Sequence, residues 1–176
     1  MPSFSFERPQ VYEDVNITVY QDAIDPQLCR DIVAVSTAMF ADSLREVTKP
    51  GNNVRRFAAS PVMPIGTIPE LDMAITDAFG NRFSTMRFNL QGPKGKQGWH
   101  QDYILEPVVL YPYGEGCIDL KPDAINIRQA RENRGLDVIT VPVGAGDIAV
   151  LGSGGELFHR GRNASAVGAR QSVVLH

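Results

Sequence analysis

Ser84-Thr85-Met86-Arg87-Phe88-Asn89-Leu90-Gln91 alternates apolar Met86, Phe88 and Leu90 with polar Arg87, Asn89 and Gln91. A period of two belongs to a β-strand, whose successive side chains point to opposite faces, so one face of this segment packs and the other is polar. Similar signals recur downstream. Residues 104–111, 138–141, 147–151 and 171–175 read as short strands, separated by turns such as Pro112-Tyr113-Gly114 and Gly144-Ala145-Gly146-Asp147. Several short strands joined by tight turns predict a sandwich or jelly roll. Residues 123–134 are the exception, because Ala, Gln, Glu and Arg favour helix there and Arg128, Arg131 and Arg134 would line one wet side.

Helical signals dominate upstream, which makes the class α+β, mainly β. Asp25-Pro26 offers a cap and a first-turn proline, and Leu28, Ile32, Val35 and Met39 follow at helical spacing, a stripe expected to lie on a sheet. A second helix of about three turns is expected from Pro69, with Leu71, Ile75 and Ala78 on one side and a stop at Gly80. Between them, residues 43–60 contain the turn Lys49-Pro50-Gly51-Asn52-Asn53 and then Val54-Arg55-Arg56-Phe57, a candidate lid. Arg55 and Arg56 could bind an acidic substrate there, the alternative being two solvated loop arginines.

The 176 residues, 43% of them hydrophobic, suffice for one domain with a real core. A net charge of −3, with Lys and Arg dispersed, gives nucleic-acid binding little electrostatic support and makes a small molecule the expected partner. Cys29 and Cys117 form neither a knuckle nor a redox pair and read as core thiols. No leader-like start and no membrane-length apolar run occur, so a cytoplasmic protein is expected. Oligomeric state is not legible.

His100 and Asp102 are two residues apart, which in an extended segment places imidazole and carboxylate on one side. His159 follows the Gly-rich Gly152-Ser153-Gly154-Gly155, and a barrel could bring it to the same metal. Two His and one carboxylate on one face of a metal are the ligand set of non-haem Fe(II) oxygenases. Alone, His-x-Asp is equally a surface His beside a solvated Asp. Arg170-Gln171-Ser172 adds weight, because a guanidinium and a hydroxyl on one face of a strand can hold a carboxylate.

Three ordered segments, Gly98-Trp99-His100-Gln101-Asp102, Gly146-Asp147-Ile148-Ala149-Val150-Leu151, and His159-Arg160-Gly161-Arg162-Asn163-Ala164-Ser165 with Arg170 beyond, carry a family resemblance. The chain resembles the Fe(II)- and 2-oxoglutarate-dependent oxygenases, in their phytanoyl-CoA dioxygenase-like branch. That resemblance implies a double-stranded β-helix (jelly roll) with N-terminal helices on the major sheet, in one domain. Residues 1–82 would supply strand, helical support and lid, and residues 83–176 the iron-binding core. It implies Fe(II) on His100, Asp102 and His159, and 2-oxoglutarate on Arg170 and Ser172, with Asn89 as a further contact. O2 is the implied co-substrate and ascorbate a candidate stimulant. The implied activity is hydroxylation of an unactivated C–H bond with release of succinate and CO2. A carboxylate at position 102 favours hydroxylation over halogenation, while desaturation, epoxidation and ring closure use the same ligands.

Arg87 and Asn89 are candidates to touch substrate or co-substrate, an exposed strand face being the alternative. Trp99 is a candidate substrate contact, with packing that fixes His100 as the more ordinary role. Asn163 and Ser165 are expected to bond their own turn, the alternative for Asn163 being to orient the Arg170 region, and His176 reads as incidental. Leu120-Lys121-Pro122-Asp123-Ala124 stands where the branch commonly carries Pro-Gly-Ser-His, so the substrate class does not carry over. Two rivals are a cupin-type metal dioxygenase that needs no 2-oxoglutarate, against which Arg170-Gln171-Ser172 argues, and a non-catalytic ligand-binding barrel.

Overall fold

The computed structural model describes residues 3–48, 61–102, 104, 106–132, 135–152 and 156–176. Its strands are β1 (Pro9–Tyr12), β2 (Ile17–Tyr20), β3 (Val62–Pro64), β4 (Thr85–Gln91), β5 (Val108–Tyr113), β6 (Gly116–Lys121), β7 (Ile139–Val143), β8 (Asp147–Leu151), β9 (Phe158–Asn163) and β10 (Arg170–Leu175). The helices are α1 (Pro26–Met39), α2 (Ala41–Thr48), α3 (Pro69–Phe79) and the short α4 (Ile127–Glu132). Among the described residues the strands form two antiparallel sheets, one ordered β1-β2-β8-β5-β10-β4-β3 and the other β7-β6-β9. The architecture is mainly β and jelly-roll-like, with helices in a minor role.

Both faces of the large sheet are covered, and by different material. On its outer face Met86 and Phe88 of β4, Leu110 of β5, Ile148 of β8 and Val173 of β10 pack against Leu28 and Ile32 of α1 and Leu71 and Ile75 of α3. Full burial of one such side chain stabilises the fold by about 1.5–3 kcal/mol. On the inner face Ile17, Val19, Val109, Tyr111, Ala149 and Leu151 meet Ile118, Leu120, Val141 and Val143 of the small sheet. This second cluster is the apolar interior between the sheets.

Local chemistry accounts for the helix ends. Asp25 caps α1, its carboxylate accepting from the Gln27 and Leu28 amides. Gly80 ends α3 at φ 64°, where a side chain would be strained. The expected stripe on α1 is corrected at its end: Met39 is 56% exposed, and Ser36 is buried in its place, with its hydroxyl donating to Val33 O. The bond satisfies the hydroxyl within the helix, so burial there leaves no unpaired polar group.

Other expectations shift. β5 begins at Val108 rather than 104, and the helix expected over 123–134 is the single stretch Ile127–Glu132, with Arg128 and Arg131 exposed; Arg134 lies outside the described residues. Strands β1, β2, β3, β6 and β9 match no individually predicted strand. The polar face of β4 is not a solvent face: Asn89 and Gln91 are buried, and only Arg87 is exposed. The candidate lid, with the strand expected at Val54-Arg55-Arg56-Phe57, falls largely outside the described residues. Among the described residues no helix is long and apolar enough to cross a membrane.

Candidate metal centre

The segment before Asp102 runs antiparallel along the free edge of β9. Asn163 N donates to Gly95 O at 2.7 Å and Gln97 N to Gly161 O at 2.9 Å; His100 and His159 then exchange both amide bonds, at 3.0 and 2.9 Å. Residues paired in this way face each other directly with side chains on one face of the sheet. The backbone ladder therefore sets the separation of the two imidazoles, whose ring centroids are 4.4 Å apart. Asp102, two residues beyond His100, joins them, with Oδ2 3.1 Å from His159 Nε2 and Oδ1 3.7 Å from His100 Nε2. The three ligand atoms lie within 4.8 Å of one another.

Backbone carbonyls fix the tautomers. His100 Nδ1 lies 2.9 Å from Gly98 O and His159 Nδ1 3.0 Å from Leu157 O. A carbonyl can only accept, so each Nδ1–H donates and, in the neutral ring, each Nε2 carries a lone pair pointing at Asp102. Burial, and then the neighbouring His159 charge, hold the His100 pKa below the usual imidazole value. Burial raises that of Asp102, but protonated imidazoles, through a hydrogen bond from His159 and the charges of His159 and His100, outweigh it and keep it below the carboxylate norm. Three lone-pair groups at this spacing repel unless a cation sits among them, and ligands at about 2.1 Å from a metal are spaced about 3 Å apart on one face. The donor set fits a divalent ion.

Behind the cluster lies Arg170 at the start of β10. Its side chain is 2% exposed, yet no described residue offers it a carboxylate. Nη1 donates to Gln91 Oε1 at 2.9 Å and to Arg162 O at 3.2 Å, Nε has no partner, and the guanidinium lies over the Tyr111 ring at 4.8 Å. Two glycines make room for it: a Cβ on Gly116 would stand 2.5 Å from Arg170 Nε, and one on Gly161 would stand 3.2 Å from Nη1. Burial pushes the Arg170 pKa down. Ser172 follows on the same face of β10, paired with Asn89 on β4.

Ser172, Asn89 and Arg170 share a narrow inner cavity of about 30 Å³ with His100, Asp102 and His159. It adjoins an outer cavity of about 530 Å³ lined by Arg87, Gln101, Ile104 and His176, with His100 and Asp102 in its wall. The structure thus brings His100, Asp102, His159, Arg170, Ser172, Asn89 and Arg87 to one connected region. Trp99 is not in either cavity. It points away from the ligands and is packed by Arg160, 4.4 Å from its ring, and Lys121, at 4.9 Å. Arg55 and Arg56 lie outside the described residues.

The Gly-Asp and Asn-x-Ser blocks are turn chemistry. The Asp147 carboxylate accepts from the Gly144 and Asp22 amides. Asn163 donates to Gly92 O and Gly168 O, and its oxygen accepts from Ser165 N. Sequence reasoning missed Tyr111, Gln97, Gly116 and His176. Of these, only Gln97 adjoins a block that could have drawn attention to it, directly before Gly98.

No family model matches the chain, and no curated protein matches it. Solved structures do. A prolyl-4-hydroxylase of Pseudomonas putida is similar over 90% of this chain and 89% of its own, at 15% identity and a TM-score of 0.51. AviO1 of Streptomyces viridochromogenes Tue57 is similar over 90% and 87%, at 16% identity and 0.57. The non-heme alpha-ketoglutarate-dependent epimerase SnoN from nogalamycin biosynthesis is similar over 90% and 74%, at 13% and 0.58. At these identities the likeness is one of fold: the chain has the jelly-roll-like fold of these three structures, with a His-Asp-His cluster in its interior.

Proposed function

We propose that the protein is an Fe(II)- and 2-oxoglutarate-dependent oxygenase that hydroxylates a small molecule, within the phytanoyl-CoA dioxygenase-like branch that its sequence blocks resemble. The observation that carries this reading is Arg170: a buried guanidinium, without a carboxylate partner, in one cavity with the three converging ligands. An unpaired buried charge costs several kcal/mol and is retained where a ligand supplies the missing partner. Among the fold neighbours, a prolyl-4-hydroxylase supports hydroxylation and a non-heme alpha-ketoglutarate-dependent epimerase supports use of the keto acid.

His100 Nε2, His159 Nε2 and the Asp102 carboxylate would hold the iron, and Arg170 with Ser172 would bind the distal carboxylate of the keto acid. When bound, iron and 2-oxoglutarate supply O2 activation, coupling decarboxylation of the keto acid to succinate and CO2 with transfer of one oxygen atom to a substrate C–H bond. The chain's own contribution is placement. The Gly98 and Leu157 carbonyls keep the imidazoles in the ligating tautomer, the Gly116 and Gly161 slot holds the guanidinium, and the apolar wall of Val109, Ile118 and Leu151 excludes water from the inner cavity.

The test is stoichiometric Fe(II) binding under anaerobic conditions, followed by O2 uptake and succinate formation with and without 2-oxoglutarate. Iron binding lost in Asp102→Ala, with succinate formed only when all components are present, is the expected result. Oxygen uptake that ignores 2-oxoglutarate would assign the cupin-type chemistry instead, and absence of iron binding would leave a ligand-binding barrel.

A further inference from the structure

The outer cavity contains cationic and hydrogen-bonding groups that the chemistry above does not use. Arg87 lies on β4 between Val62 of β3 and Val174 of β10, in the same inward row as Asn89 and Gln91. Its side chain lines the outer cavity, and no described carboxylate pairs with it. His176 lines the same cavity, and its Nε2 is buried without a hydrogen-bond partner. Asp102 is the one side-chain carboxylate among the described lining residues, and it belongs to the metal cluster; the main-chain oxygen of His176 is engaged by the Ser84 and Thr85 amides.

Charge accounting, which rests on the functional reading above, isolates Arg87. A ferrous ion and Arg170 bring three positive charges; Asp102 and the 2-oxoglutarate dianion bring three negative ones. These cancel inside the connected cavities and leave the Arg87 guanidinium as the uncompensated charge at the mouth. A guanidinium presents a planar fork that matches the two oxygens of a carboxylate, and an imidazole N–H beside it can donate to the same group.

We propose that the outer cavity binds the substrate and selects one bearing a single carboxylate, which pairs with Arg87 and accepts a hydrogen bond from His176 Nε2. The substrate is thereby anchored beside His100 and Asp102, with its remaining carbon skeleton toward the metal. Arg170 and Arg87 divide the work: the inner arginine takes the co-substrate, the outer one the substrate.

Calorimetric titration tests this without turnover. The protein is loaded with Mn(II) and excess 2-oxoglutarate, so that Arg170 is occupied, and titrated with phenylacetate and hexanoate and with phenylacetamide and hexanamide. The carboxylates should bind at least about tenfold tighter than their amides, the span expected of one charge-assisted pair. Arg87→Gln should bring carboxylate and amide within about twofold, Arg87→Lys should keep part of the preference, and His176→Phe should weaken the carboxylates several-fold while preserving it. Melting curves establish that each variant is folded. Equal binding of carboxylate and amide, no binding of any of the four compounds, or a preference retained in Arg87→Gln would each overturn the proposal while leaving the oxygenase reading intact. Failure of Mn(II) to bind, with the carboxylate preference still dependent on Arg87, would overturn the oxygenase reading and leave the anion site standing.

Discussion

Arg170→Met separates a ligand-binding role from a structural one, which loss of activity alone would confuse. In the folded chain Nη1 donates to Gln91 Oε1 and Arg162 O, bonds of a charged donor that contribute roughly 1.5–3 kcal/mol each. Against them stands the desolvation of a guanidinium that no described carboxylate compensates, a cost of several kcal/mol. These contributions oppose one another and are of similar size. The substitution should therefore change the stability of the ligand-free protein by no more than about 2 kcal/mol in either direction, roughly 4–8 °C in melting temperature. For 2-oxoglutarate the balance differs, because a bidentate pair in a buried site contributes about 3–6 kcal/mol. Its affinity should fall roughly 100-fold or more. Thermal melting of the metal-free protein and calorimetric titration of 2-oxoglutarate into the Mn(II)-loaded protein read the two quantities separately. A melting temperature lowered by more than about 15 °C, or 2-oxoglutarate affinity within about threefold of the parent, would refute the assignment.

Three further outcomes are expected. His159→Ala should abolish stoichiometric metal binding, measured by equilibrium dialysis, yet leave a folded protein, because the amide ladder between His100 and His159 is made by backbone. Gly116→Ala places a methyl group 2.4 Å from Arg162 O and 2.5 Å from Arg170 Nε; it should destabilise the fold by about 1–3 kcal/mol and weaken 2-oxoglutarate more than metal. Asp119 links pH to stability. Burial raises its pKa, but hydrogen bonds from Arg162 and Arg160, with their charges, depress it overall. The stabilisation is thus present above the ordinary carboxylate range and lost as pH falls through the depressed value. Denaturant melts should show the parent about 2–3 kcal/mol more stable than Asp119→Asn near neutrality, a difference that closes in acid; a gap constant with pH would exclude this origin.

Regular spacing made part of the molecule legible from sequence. His100 and Asp102 follow the two-residue period of an extended chain, and Arg170 and Ser172 do the same on β10, so local geometry alone places each pair on one face. β6 was illegible for the opposite reason. Its outward positions include Asp119 and Lys121, charges that read as surface, and they are buried only because Arg160, Arg162 and Trp99 arrive from remote segments. β9 hid behind Arg160, Gly161 and Arg162, whose fitness for a strand depends on Asp119 outside and Arg170 inside. Ser36 in place of Met39 on α1, and His176 in the cavity wall, likewise depend on which surface the rest of the chain presents. No local pattern encodes that.

A metal held by His100 and His159 would also be coupled, through their backbone bridge, to the breathing of the barrel edge. The segment around residues 95–100 is joined to β9 by a few amide bonds rather than by a full strand, the kind of attachment that opens locally at small free-energy cost. An ion ligated from both sides binds only the closed edge, so by mass action it disfavours the open one in proportion to its affinity. The His100 and His159 amides should then exchange with solvent deuterium more slowly as metal is added. Two backbone protons would report the occupancy of a centre made of side chains.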